Sequence, residues 1–429
     1  MLSLLFAYLI CAGFAGHTHA QSVFAHVIVG NTYSYTLADW AHEIEVAANA
    51  SIDGFALNIG YLDTINPAGF VQAQLNNAYT AADATNFKLF FSFDYAAQGA
   101  WDQNAVIKTI NAYSSRPSQF KWEGKPLAST FEGPNNAGDW AYIKSQTNSF
   151  FAPDFSSQGC FGAAAKPNVD GLLSWNAWPA GANDMTDGDD QAHIKALGGR
   201  PFIMPVSPWF YTNLPQWSKN WLWRGDSLWH QRWEQVAQLQ PSFVEILTWN
   251  DWSESHYVGP LPPMDSAIPT GAERYVKPNP HDAWLKDLPH YIARYQNETR
   301  PAESHVTFWY RLNPARSGSA GGTTCNNPAY QTPLAPQDCV ADAVFFTAFV
   351  PDTAIATVKV TIGGTTQSVT ASQPGIFHSS VPFGQIGNGT VSVSVSASDG
   401  TKIGPVGGAP ITSNCAGGTV NWNAWVGGS

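Results

Sequence analysis

The chain has 429 residues, of which 44% are apolar and only 12% charged, with 37 Gly and 29 Pro. That length supplies core for one large domain and a smaller one, and the low charge with many turn residues excludes a disordered or coiled-coil protein. A net charge of −11 excludes nucleic acid and anionic lipid as natural partners, and is compatible with a neutral polysaccharide.

Residues 1–20 read as a secretory leader. An apolar run, 2–14, precedes Thr18-His19-Ala20, with small residues at −3 and −1 before Gln21. The run is too short to span a bilayer, so we expect a secreted or cell-wall protein with no membrane partner. Cys11 leaves with the leader. The remaining four cysteines, Cys160, Cys325, Cys339 and Cys415, form an even set suited to an oxidising compartment. The expected pairing is Cys325–Cys339, closing a turn-rich loop, with Cys160–Cys415 as the remainder. Sequons at Asn49, Asn297 and Asn388 fit a secreted glycoprotein.

From residue 24 onward, short apolar runs alternate with amphipathic ones. The runs 24–30, 54–60, 88–95, 126–132, 158–165, 169–178, 201–209 and 243–249 are expected strands. Expected helices cover 36–50, 68–84, 104–114, 140–148 and 228–239, with a last one over 282–296. Only three residues separate the fifth and sixth runs, too few for a helix. Eight near-continuous apolar runs joined by helices predict an α/β fold, a (β/α)8 TIM-type barrel whose strands are buried on both faces. Residues 313–337 then read as a Gly/Pro/Ser/Asn-rich linker. Alternating strands over 343–350, 356–363, 367–371, 375–382 and 390–397 predict an appended C-terminal β-sandwich. The expected division is therefore leader 1–20, catalytic barrel 21–300 and accessory β-sandwich 301–429. Sixteen of the 18 tryptophans lie at or before Trp309, so aromatic sugar platforms belong to the barrel.

In such a barrel reacting groups come from the carboxyl ends of the strands. The eighth run ends in Trp249-Asn250-Asp251-Trp252-Ser253-Glu254-Ser255, two carboxylates three positions apart with tryptophans interleaved. Paired carboxylates beside aromatic surfaces are what glycoside hydrolysis needs, one group to protonate the leaving oxygen and one to serve water or the sugar carbon. The same acids could instead cap the following helix. Asp94 and Glu132 also end strands, and His26, Tyr33, Asn58, Asn250 and His256 are candidate hydroxyl binders. Trp175, Trp178, Trp209 and Trp252 are candidate stacking surfaces, though buried aromatics of this kind also build cores. No His-x-His or His-Glu-x-x-His spacing occurs after the leader, and Asp187-Gly188-Asp189-Asp190 lacks the alternate-position spacing of a calcium loop. We therefore expect no metal and no cofactor, and read that acidic run as a solvated loop. No Gly-x-Ser-x-Gly elbow is present.

Four motifs in order, residues 24–33, 52–60, 88–94 and 249–255, together with Phe308-Trp309-Tyr310-Arg311, resemble glycoside hydrolase family 71, the fungal α-1,3-glucanases or mutanases. The resemblance implies a (β/α)8 barrel with a β-sandwich, endo-acting hydrolysis of α-1,3-glucan with inversion, and Asp251 and Glu254 as the catalytic pair. Trp252 and Ser253 stand where the family more often has a smaller aromatic and glycine. We expect Glu254 as general acid, because an acid needs a raised pKa, and Asp251 as general base. Within the same chemistry a retaining α-glucan hydrolase is the alternative, and outside it a non-catalytic carbohydrate-binding wall protein. We expect a monomer.

Overall fold

The computed structural model describes residues 21–384 and 388–429, so the expected leader lies outside the described residues. The chain is a mixed α/β protein. Ser22–Ile28 lies between Gly54–Gly60 and Phe243–Ile246, and pairing continues through Lys88–Asp94, Lys125–Phe131 and Phe150–Phe151 on one side. On the other side it runs through Phe202–Val206 to Leu172–Leu173, and all these pairs are parallel. Bridges from Asp154 to Phe131 and to Leu173 join the two ends, so the pairing returns to its start.

Period-two alternation along these strands sorts the residues. Val23, Ala25, Leu57 and Phe91 pack under the helices, while Phe24, Ala56, Phe90, Leu127 and Phe243 form a separate apolar cluster on the opposite face. Two residues further along each strand, that same face carries His26, Asn58, Ser92, Ser129 and Glu245, all buried. An apolar layer thus gives way to a polar one toward the carboxyl ends of the strands, where the acids of the sequence reading lie.

Five helices flanking these strands fall within three residues of expectation at each end, from Leu37–Asn49 to Leu228–Leu239. The sixth, expected over 282–296, divides into a 3-10 turn Asp282–Lys286 and a helix Leu288–Tyr295. The expected fifth strand, 158–165, is instead the helix Gly159–Ala164, and the fifth strand is the two-residue Phe150–Phe151. The helix buries Ala163 and Ala164 while Phe161 stays exposed, and the absence of β-branched residues removes the main preference for a strand there. The acidic run is also corrected. Asp189 and Asp190 open the helix Gly188–Leu197, and Asp190 is buried in a two-point ion pair with Arg232, at 2.7 and 3.0 Å.

Beyond residue 300, His305–Arg311 pairs with Ala343–Phe349 and with Ala424–Gly428, and Ile376–Pro382 completes a four-stranded antiparallel sheet. A second such sheet has the order Thr365–Thr370, Ala356–Ile362, Gly389–Ala397, Lys402–Ile411. Phe308, Phe346, Val358, Val360 and Val393 share one core between them. Trp309, Phe345 and Val426 on the first sheet belong instead to the large core that includes Trp284. Cys325 and Cys339 are disulfide-bonded as expected. Cys160 and Cys415 are free thiols, against the expected second bridge. Cys160 sits on the helix that replaces the fifth strand, and Cys415 packs beside Ser317 Oγ at 3.1 Å. Among the described residues no helix is long and apolar enough to cross a membrane.

Candidate active site

The last parallel strand ends at Ile246, and the chain runs on as a tethered loop. Asn250 Oδ1 accepts from the Ile28 amide at 2.8 Å and Asn250 Nδ2 donates to the Ile28 carbonyl at 3.1 Å. Trp249 Nε1 donates to the buried Glu43 carboxylate at 2.6 Å. Asp251 then caps a single 3-10 turn, Trp252–Glu254, its Oδ1 accepting from the Glu254 amide at 3.1 Å and from Ser253 Oγ at 2.7 Å. The capping role read as an alternative to chemistry therefore coexists with a carboxylate whose Oδ2 accepts no hydrogen bond among the described residues. Ser253 supplies a bond that a glycine cannot.

Glu254 points between two bases. Its Oε1 is 2.6 Å from Lys219 Nζ, and its Oε2 is 3.0 Å from His256 Nε2. Burial works to raise the Glu254 pKa, but the Lys219 ammonium and the His256 hydrogen bond outweigh it and hold the carboxyl well below the usual range. That reverses the expectation of a raised pKa. The Lys219 pKa is raised by Glu254 foremost, against a lowering by burial, with Asp251 and Asp94 adding to the rise. An oxygen of Asp251, one of Glu254 and a ring nitrogen of His256 lie within 4.8 Å of one another. Three such groups could ligate a divalent ion, but the Lys219 charge already neutralises Glu254.

The other candidates divide. Asp94 spends Oδ1 on the amides of Ala96 and Ala97, at 2.8 and 2.9 Å, and lies within electrostatic reach of Lys219. Trp178 is half-buried, stacks on Trp223 at 5.3 Å and leans on His256 at 5.3 Å. His256 is fully buried and serves Glu254. A second group lies around Trp175, whose ring meets His26 at 4.9 Å and Phe131 at 4.8 Å. There His26 Nδ1 is 2.7 Å from Glu245 Oε1, both fully buried, and Glu132 accepts from the Ser157 amide at 2.8 Å. Tyr33 is exposed against Phe70. Asn58 is buried in the polar layer.

Three expectations are corrected. Trp209 and Trp252 are buried in the core and offer no face to a sugar; Trp209 Nε1 donates to the Trp422 carbonyl at 3.1 Å. Asn250 is buried with both ends of its amide committed to Ile28, a loop clamp rather than a hydroxyl binder. Sequence reading missed Lys219, Trp223, Asp154 and Glu245. Glu245 stood inside the eighth apolar run as its one charge, a usable signal. Lys219 lay in a stretch with no expected element.

Residues 19–429 match the family model described as Glycosyl hydrolase family 71. The chain is 34% identical over 404 residues to a glucan endo-1,3-alpha-glucosidase of Schizosaccharomyces pombe, covering 89% of this chain and 90% of that protein. It is 31% identical over 417 residues to a mutanase of Penicillium rubens, covering 94% and 88%. An ascus wall endo-1,3-alpha-glucanase of Schizosaccharomyces pombe is 26% identical over 383 residues, covering 85% and 86%.

Proposed function

This chain belongs to glycosyl hydrolase family 71 and is a glycoside hydrolase, and on that premise we propose that it is a secreted enzyme cleaving α-1,3-glucosidic bonds in cell-wall α-1,3-glucan. The relatives named for that substrate, matched over most of both chains, support this reading. We take the ring of parallel strands as a closed (β/α)8 barrel over residues 21–300, and the two four-stranded sheets as a β-sandwich over 301–429.

The observation that carries the mechanism is Glu254 clamped in its ionised form between Lys219 and His256, beside an Asp251 with a free oxygen. The roles expected from sequence are therefore exchanged. Asp251, its side chain 18% exposed, delivers a proton from Oδ2 to the glycosidic oxygen as the bond to the anomeric carbon breaks. Glu254 lends its charge to the oxocarbenium-like transition state and takes the proton of the attacking water. The pair ends one proton exchanged, which solvent at the partly open site restores. Trp175 and Trp178 supply sugar-facing edges, and Asp94, Glu132 and Tyr33 supply hydroxyl contacts.

A second reading draws on spacing. Oxygens within 4.8 Å are closer than the roughly 6.5–9.5 Å of an inverting carboxyl pair, and an ionised Glu254 is suited to attack the anomeric carbon itself. Wild type, Asp251→Asn and Glu254→Gln are incubated with insoluble α-1,3-glucan while reducing ends and anomers are followed by NMR. Release of β-anomer, falling by about 100-fold or more in each variant, supports the inverting reading. Release of α-anomer selects the retaining one. Variants as active as wild type refute the pair, and wild-type inactivity on this glucan refutes the substrate.

A further inference from the structure

Lys219 does not come from the ring of strands. It opens the second strand of a hairpin, Phe210–Leu214 and Lys219–Trp223, which stands beside the site with the Phe210 ring on His256 at 5.5 Å. A two-stranded hairpin is marginal by itself and its outer strand is an open edge. Here that edge is covered by a segment more than 100 residues later. Trp221 and Leu222 pair in parallel with Thr324 and Cys325, and the Asn326 amide donates to the Leu222 carbonyl at 2.9 Å. Asn220, next to Lys219, is gripped at both ends of its amide. Its Nδ2 donates to the Gly321 carbonyl at 2.9 Å, and its Oδ1 accepts from Thr323 Oγ1 at 2.7 Å. Trp223, the partner of Trp178, donates to Gln331 Oε1 at 2.8 Å. The Cys325–Cys339 disulfide closes this segment on itself.

We propose that residues 319–334 are a brace for the active site, with Asn220 the positioning residue that sets Lys219 against Glu254. The segment read from sequence as a linker is then part of the catalytic frame. Lys219 is 40% exposed and carries a flexible stem, so its contact with Glu254 depends on where its backbone is held. Loosening the brace lets the ammonium retreat into solvent and returns Glu254 toward ordinary acidity. This rests on Glu254 being one of the reacting carboxylates.

The test is the titration of Glu254 in the full chain, read by NMR of 13C-carboxyl glutamate and assigned by subtracting the Glu254→Gln spectrum. Lys219→Met raises the Glu254 midpoint by about 1–3 pH units, the span a close opposite charge controls, and Lys219→Arg restores most of it. Asn220→Ala and Thr323→Val, each deleting bonds of the brace, raise the midpoint in the same direction by less. A midpoint unmoved in Asn220→Ala and Thr323→Val overturns the brace even if their melting temperatures fall. A midpoint unmoved in Lys219→Met overturns it too. Because this readout needs no turnover, inactivity of the wild type on α-1,3-glucan would sink the functional reading and leave the brace standing.

Discussion

Arg232 offers the sharpest stability test, because a whole charged side chain is out of solvent. Its guanidinium spans Asp190 at 2.7 and 3.0 Å, the Pro205 carbonyl at 2.7 Å and Gln235 Oε1 at 2.7 Å, and so ties two helices to the strand Phe202–Val206. Arg232 and Asp190 are 0% and 1% exposed. Asp190→Asn keeps the shape but removes the countercharge, and its amide nitrogen faces a guanidinium that can only donate. Breaking a buried pair at one end costs about 3–5 kcal/mol, between two and nearly four powers of ten in the unfolding constant. Replacing both partners by apolar residues, Asp190→Leu with Arg232→Met, avoids the stranded charge and returns to within roughly 1–2 kcal/mol of wild type. Urea unfolding followed by tryptophan fluorescence measures all three proteins. A single variant costing under about 1 kcal/mol, or a double variant worse than the single one, would refute the account of this pair as desolvated and mutually dependent.

Three further outcomes are expected. Asp154 is fully buried and titrates at about 7, raised by burial first and by the Glu132 and Glu245 charges, against the lowering effect of Ser156. The native state therefore keeps a proton that the unfolded chain has released, so stability falls by up to about 1.4 kcal/mol per pH unit between roughly pH 4 and 7, and Asp154→Asn flattens that slope in melts across the range. Trp252→Ala, at a fully buried ring, costs about 3–5 kcal/mol in denaturant unfolding, whereas half-buried Trp178→Ala acts mainly on glucan binding; equal stability losses would argue against that division. Alkylation in denaturant without reductant, followed by mass spectrometry, labels Cys160 and Cys415 and spares Cys325 and Cys339; protection of Cys160 would contradict the free thiol.

The sequence by itself determined what is repeated or local. Alternating apolar and amphipathic runs placed seven of the eight parallel strands, since a strand buried on both faces is apolar over most of its length, and five of the flanking helices. The Trp249–Ser255 motif located the acids, because a strand end followed by a tight turn projects them whatever surrounds it. Only the tertiary structure decided the electrostatic surroundings of each acid. Glu254 is held ionised by Lys219, which lies 35 residues away on a hairpin, and that hairpin is fixed by residues 319–334. Asp190 looked solvated until Arg232 reached it from 42 residues along the chain. Trp209 and Trp252 looked like platforms until neighbouring elements closed over them. Desolvation and charge pairing scale with what surrounds a group in space, and residue types read in chain order carry no record of that surrounding.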